Sequence, residues 1–496
     1  KEPLKLLQES WYFSVIAQQQ QQQQQQEGSG AGEAAAATEG SNHALCSQVP
    51  NPIGTFTDLG LDTQRHLTKY NPVPATKSVE TIDVQVTMPN VTAANTFRSA
   101  ISGGLLPNIS KPTAGWPVVI IQHGITSRKE ELLATTGWLS AMGYATVAID
   151  HPLHGSRGFV VGEGDAAQVI NASSAVDGSD PTHYLNLASL LTARDNVRQS
   201  VADGLKLRLA LNALYDGTDG TVAVDATNVY YMGHSLGAIT GANLVAVANT
   251  PTGNDALDGL YKINAAVLAN PGSSIANFLV ESGSFGALVK ASVVFGLGNE
   301  LTDAASALLP GCGFTGAAAP TNAELVCAYK TLEAEGTYAA SISAAVSQFA
   351  FASQATLDAG DPSNYSQLLK ATQTPILIFE VAGDGADNLS DQTIPNFVST
   401  DVFKGIAGTT GLANQLALPQ IVESIDGTEA TSGIVRFTKG SHSTFANPSD
   451  ALDTNSVVHT EMQTLMYQFF NSDGKTYSPA AGKCVVKDVL DPSCSE

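Results

Sequence analysis

The stretch Val229-Tyr230-Tyr231-Met232-Gly233-His234-Ser235-Leu236-Gly237 constrains this chain more than any other. An apolar, β-type run enters Gly-x-Ser-x-Gly, and the small-residue helical pattern Ala238 to Val245 leaves it. A strand that turns this sharply into a helix has no room for side chains at the two flanking positions. Glycines therefore stand there, and the serine hydroxyl is pushed out above the sheet edge. By pattern alone the motif is weak, because in a chain with 45 glycines a plain Gly-rich turn competes with it. The strand before it and the helix after it select the nucleophile reading.

Composition narrows the partners. The 496 residues carry 46 Asp and Glu against 24 Lys and Arg, a formal charge of −22, with no Lys/Arg cluster, so phosphate backbones and anionic head groups are repelled. Nucleic acid is excluded as a partner on this ground. With 43% hydrophobic and 14% charged residues the chain reads as globular, long enough for one large domain with insertions. No run of 18 uncharged apolar residues exists, so no integral membrane segment is expected. The segment Leu4 to Ala17 is too interrupted to serve as the apolar region of a signal peptide. Cys312 with Cys327 and Cys484 with Cys494 are spaced as two short-loop disulfides, with Cys46 left over. Paired, they imply a secreted, periplasmic or cell-surface protein; unpaired, they are buried or free thiols of a cytosolic one.

Along the chain, residues 1–45 contain the glutamine tract Gln18 to Gln26 and a Gly/Ala/Glu continuation, and are expected to be a disordered low-complexity lead. Residues 46–112 read as an N-terminal segment of polar loops with one alternating strand, Thr81 to Met88. From there β-branched runs alternate with helical patterns: Val118 to Gln122, Tyr144 to Ile149, Val229 to Met232, Ile263 to Leu268, Pro375 to Val381 and Ile434 to Thr438. Near-continuous apolar runs of this kind are buried parallel strands, and a crossover helix is read over Tyr184 to Leu211. The expected fold is α/β, a mostly parallel, doubly wound sheet. Residues 271–374 break the rhythm with Ala-rich helical patterns and are read as a helical cap or lid inserted between two core parts, 113–270 and 375–472. The stretch 473–496 is a C-terminal tail.

A serine hydroxyl needs a base, itself oriented by a carboxylate. His442 follows the last strand in Gly440-Ser441-His442-Ser443, a loop that can swing an imidazole over the sheet edge. His234 lies inside the elbow with its side chain directed away from that of Ser235, and His459 falls in a helical pattern and reads as a surface or packing residue. For the acid, the loop after Pro375 to Val381 offers Asp384, Asp387 and Asp391. Asp391 opens Asp-x-x-Ile-Pro, whose proline stiffens the loop behind the carboxylate, and Asp384 nearer the strand end is the alternative. The Asp-rich spacing does not match a calcium loop, and neither metal nor cofactor is called for. Oxyanion donors are expected from the Ile125 amide, at the Gln122-His123-Gly124-Ile125 turn, and from Leu236 directly after the nucleophile. His123 braces that turn, and His123, Gly124, His154 and His234 are pocket candidates.

Together Trp116-Pro117-Val118-Val119-Ile120-Ile121-Gln122-His123-Gly124-Ile125-Thr126-Ser127-Arg128-Lys129-Glu130, the turn Asp150 to Gly155 and Gly233 to Gly237 resemble the α/β-hydrolase superfamily. Within it they look like the bacterial virulence-factor extracellular lipase and lysophospholipase group. The likeness covers about residues 115–270 and 375–470. It implies an α/β-hydrolase fold with Ser235, Asp391 and His442 as the triad of a serine ester hydrolase, a lipase or carboxylesterase. The substrate is then a small-molecule, lipid or polymer ester with an apolar acyl group. Polyester hydrolysis, acyl transfer and a non-catalytic binding role on the same fold are the competing readings.

Overall fold

The structure is a computed structural model that describes residues 78–164, 167–217, 220–399, 403–479 and 486. The lead 1–45, Cys46 and the pair Cys484 and Cys494 lie outside the described residues. The chain divides after Thr81, and everything below concerns the unit Ile82–Glu496.

Strand β1 (Val84–Thr87) and helix α1 (Val91–Ser102) come first. They are followed by β2 (Trp116–Gln122), α2 (Leu133–Ala141), β3 (Ala145–Ile149), α3 (Leu190–Ala210), β4 (Val224–His234) and α4 (Leu236–Ala248). Helix α1 falls where the sequence reads as polar loop. Only Ala94 and Arg98 of it are buried, and its bounds come from an Asn90 N-cap and left-handed Gly103.

After β5 (Ala266–Ala269) come five helices, α5 (Ile275–Glu281), α6 (Gly286–Gly296), α7 (Glu300–Leu308), α8 (Asn322–Glu335) and α9 (Ala339–Leu357). Then follow α10 (Pro362–Ala371), β6 (Ile376–Val381), α11 (Gly408–Leu416), β7 (Gly433–Phe437) and α12 (Val457–Asn471).

Seven strands form one sheet in the order β1-β3-β2-β4-β5-β6-β7. Every neighbouring pair is parallel except β1 with β3. This is the α/β-hydrolase arrangement. The parallel strands are covered on both faces, which is why they read as unbroken apolar runs. Val119, Ile121, Met232, Val267, Phe379 and Phe437 share one cluster with Val458, Met462, Leu465, Met466 and Phe469 of α12. Those α12 positions recur at helical spacing, one apolar stripe laid on the sheet. Edge strand β1 leaves Val84 and Val86 exposed.

The direction of winding reverses between β2 and β4, whose carboxyl ends lie side by side with Gln122 opposite Gly233. In an open α/β sheet that switch point is where a crevice forms.

Within residues 271–374, α6 to α9 enclose a cluster of their own, Val294, Leu301, Ala305, Tyr329, Leu332 and Ile342 among its members. Helix α10 instead packs on α4, beside the sheet. The separately packed helical layer is therefore shorter than that segment. Asp361 ties its base down, its carboxylate accepting from the amides of Ser274 and Ile275 at 2.9 and 2.6 Å. Among the described residues no single helix is long and apolar enough to cross a membrane.

A disulfide joins Cys312 to Cys327 across a separation of 15 residues, between the end of α7 and helix α8. Closing such a loop removes denatured-state entropy worth about 3 kcal/mol. Replacing both cysteines with alanine should lower stability by about that amount, visible as faster proteolysis between Leu309 and Glu335. A double variant as resistant as the wild type would show that the apolar cluster alone holds these helices.

Candidate active site

Ser235 stands at the tip of the β4–α4 turn with φ 55 and ψ −119, a conformation that costs a non-glycine residue on the order of 1–3 kcal/mol. The turn closes only because its flanks lack side chains. A Cβ on Gly233 would lie 2.2 Å from the Gly237 oxygen, and one on Gly237 would lie 2.2 Å from the Gln122 oxygen. Leu236 opens α4, so its N–H belongs to the first turn that helix geometry leaves without an intrahelical acceptor.

The turn after β2 presses on this serine. A Cβ on Gly124 would sit 3.0 Å from Ser235 Cβ and 3.4 Å from its Oγ. His123 is fully buried and makes two bonds that fix its tautomer. Its Nδ1–H donates to the Gly124 carbonyl at 2.7 Å, and its Nε2 accepts the His151 amide at 3.0 Å. The Gly124 carbonyl and the Ile125 N–H belong to one planar trans peptide and point oppositely, so holding the first aims the second. His151 completes the clasp by donating from Nε2 to the His123 carbonyl at 3.0 Å. His123 thus braces the turn from behind and borders neither of the clefts described below.

His442 is oriented by Asp391, not by Asp384. Asp391 Oδ2 accepts from His442 Nδ1 at 2.6 Å, while its Oδ1 accepts the amides of Thr393 and Ile394 at 2.8 and 3.0 Å. The stiff Asp-x-x-Ile-Pro segment folds back on its own carboxylate. Asp384 instead closes its own loop through the amides of Ala386 and Asn388, bonds that hold its carboxyl below the ordinary range. With Nδ1–H committed to Asp391, His442 Nε2 is left as a lone-pair acceptor. It is buried, has no partner among the described residues, and His442 borders the same cleft as Ser235.

Several supporting residues carry no motif. The His442 carbonyl accepts from His234 Nε2 at 2.7 Å and from Asn270 Nδ2 at 3.0 Å, so the elbow and the end of β5 jointly hold the His442 loop. Asn388 clasps Gly440 by two bonds, joining the loop after β6 to the loop after β7, and Asp450 accepts from Ser441 and Thr444 on either side of His442 in the chain. Asn270 and Asn388 are single asparagines in loops, and only their place after core strands marks them in the sequence.

Two clefts meet at Ser235. One, about 680 Å³ with its mouth included, is walled by Leu185, Ile239, Ile275, Phe278, Leu288 and Ile394. Helices α5 and α6 of the insertion supply much of that wall. The other, about 1130 Å³ counted the same way, holds Gly124, His234 and His442 among hydroxyl and amide side chains. Of the four expected pocket residues, Gly124 and His234 border it, whereas His123 and His154 do not. His154 is wholly buried against His123 and Tyr184, with Nδ1 on the Pro152 carbonyl at 2.9 Å. Its turn is taken up with structure: the buried Asp150 carboxylate accepts from Lys129 Nζ and N and from Ser156 N and Oγ, at 2.8 to 2.9 Å. Burial pushes the Asp150 carboxyl up, and these bonds outweigh it and hold it below its usual value.

No protein-family model and no curated protein matches this chain. Among solved structures it is similar to a lipase in its open form, at 12% identity over 79% of this chain and 94% of that one, TM-score 0.33. It is likewise similar to Est1E from Butyrivibrio proteoclasticus, described with ferulic acid bound, at 13% identity over 78% and 94%, TM-score 0.33. A proline iminopeptidase from Mycobacterium smegmatis follows at 14% identity over 79% and 94%, TM-score 0.32. Likeness at this level carries no inference about chemistry, which rests on the site itself.

Two tests follow from this geometry. Gly124→Ala puts a methyl group against Ser235 and should slow its labelling by a fluorophosphonate at least tenfold while the circular dichroism spectrum is kept. Labelling at the wild-type rate would separate the Gly124 turn from the serine.

The second concerns acid. Burial lowers His123 and His234 to about 4 and His154 to about 3, and pushes His151 well below its usual value. Between about pH 6.5 and 4 the unfolded chain therefore binds protons that the native state refuses. Stability is full above 6.5 and falls on acidification, by roughly 1.4 kcal/mol per pH unit for each such histidine. Urea denaturation across that range should show it, and a flat profile would contradict neutral burial.

Proposed function

We propose that the protein is a serine ester hydrolase of the lipase or carboxylesterase kind, acting on carboxylic esters with apolar acyl groups. One observation carries the reading: the Asp391–His442 bond leaves Nε2 unpartnered in the cleft where the strained Ser235 stands. His442 takes the Ser235 proton as Oγ attacks the ester carbonyl, and Asp391 holds the imidazole in the required tautomer. The Ile125 and Leu236 amides receive the oxyanion. Water activated by His442 then releases the acid from the acyl-enzyme. None of these steps calls on a cofactor. The helical layer between β5 and α10 serves as a cap, since its residues wall the apolar cleft. The Trp116 to Glu130 resemblance to bacterial extracellular lipases supports the same chemistry, and the Cys312–Cys327 disulfide supports an extracytoplasmic location.

The test is turnover of p-nitrophenyl hexanoate. Ser235→Ala should abolish it, and Asp391→Asn should lower kcat by roughly 10³- to 10⁴-fold, as expected when the carboxylate that sets the tautomer is lost. Asp384→Asn should stay within about threefold of the wild type, because that side chain serves only its own loop. Activity that survives in Ser235→Ala, or that collapses in Asp384→Asn rather than Asp391→Asn, overturns the assignment.

A further inference from the structure

The two clefts at Ser235 differ in chemistry, and His442 decides which part of an ester enters each. In the apolar cleft only Thr182, Thr393 and Ser235 bring polar side chains. The second cleft is bordered by Thr126, Ser127, Ser174, Ser284, Ser443 and Asn447, with Glu131 at its edge and no lysine or arginine. Ile125, Ser235, Phe285 and Thr393 border both and mark the partition, but His442 borders the polar cleft alone.

In acyl transfer the Ser235 Oγ–carbon bond forms and the carbon–oxygen bond to the leaving alcohol breaks. The proton lost by Oγ passes through His442 Nε2 to the departing oxygen. That oxygen must lie within hydrogen-bond reach of Nε2, hence on the polar side. The acyl chain then takes the other direction from the tetrahedral carbon, into the apolar cleft.

We infer that the leaving group is an uncharged polyhydroxy alcohol, a glycerol or sugar moiety, seated in the polar cleft while the acyl chain fills the apolar one. This rests on the ester-hydrolase reading of the site and goes beyond it in naming the alcohol. Thr126 Oγ1, Ser443 Oγ and Asn447 Nδ2 make no hydrogen bond to another described residue, which leaves donors and acceptors for several hydroxyls. An alkyl alcohol seated there would desolvate those groups with no return. A phosphate-bearing alcohol would meet Glu131 without a cation, since Arg128 is drawn to Glu130 and Glu131 at 3.8 and 3.6 Å.

The experiment holds the acyl group constant. kcat/KM is measured on glyceryl monohexanoate, propyl hexanoate and 1-hexanoyl-glycerol 3-phosphate, with alkaline hydrolysis of each ester dividing out intrinsic reactivity. The glyceryl ester should exceed each of the other two at least tenfold. Asn447→Leu combined with Ser443→Ala should reduce the glyceryl-to-propyl ratio at least fivefold. A ratio near one, a ratio indifferent to those substitutions, or preference for the phosphate ester overturns the polyol assignment. p-Nitrophenyl hexanoate keeps the two readings apart, because its leaving group asks nothing of the polar cleft. Wild-type turnover of it without the glyceryl preference sinks the polyol alone, and no turnover sinks the hydrolase reading beneath it.

Discussion

The approach of the β2 turn to the β4–α4 elbow is the contact on which the rest of the site depends. Two parallel strands end side by side at the point where the sheet reverses its winding, and their backbones close to distances that forbid side chains. Gly237 faces the Gln122 carbonyl with no space for a Cβ, and Gly124 faces Ser235 with barely enough. That proximity seats the turn that carries Ile125 against the serine that precedes α4. It also explains why backbone strain persists at Ser235: the strand pairing behind it and the helix ahead over-determine the turn.

Histidine is used here in two opposite ways. His442 sits at the cleft with one nitrogen free. His123, His151, His154 and His234 are buried neutral, and at least three of them act as fixed hydrogen-bonding pieces. Each of His123, His151 and His234 spends a ring N–H on a backbone carbonyl, at 2.7 to 3.0 Å, and each of those carbonyls belongs to the turn after β2 or the loop after β7. Burial excludes the charged form and so keeps the lone-pair nitrogens available as acceptors. The site is thereby held by groups whose own protonation is settled by desolvation.

The features legible in the sequence are those with a short-range physical signature. Buried parallel strands gave unbroken apolar runs, and six of these runs coincide with sheet strands to within a few residues. The elbow was legible because steric exclusion selects glycine at two fixed offsets. Helix α1 was not, since its few apolar positions, Val91, Ala94, Phe97 and Ile101, are scattered among polar residues and give only a weak signal. The packing of α10 on α4 was not either, because its local pattern is the same whichever layer it packs on. At the site, Asp391 and Asp384 are both loop aspartates after one strand. The motif Asp-x-x-Ile-Pro favours Asp391 in the sequence, and the fold separates the two by spending one on its own loop and the other on His442. Asn270 and Asn388 act through partners distant in sequence, such as Gly440, 52 positions from Asn388, and only their place after core strands marks them.

The asymmetry of the clefts follows from the same topology. The apolar wall is built where α5 and α6 leave the sheet after β5, on the Leu236 side of the nucleophile. The polar wall is built from the turn after β2 and the loop after β7, on the His442 side. Loops at strand ends are rich in hydroxyl and amide side chains because their backbones need local partners, whereas a helix inserted over a core must bury an apolar stripe. An α/β sheet lined on one side by strand-end loops and on the other by helices packed over it is thus predisposed to one polar and one apolar cleft. On the polyol proposal, the side chains at Thr126, Ser443 and Asn447 would set which alcohol the polar side accepts.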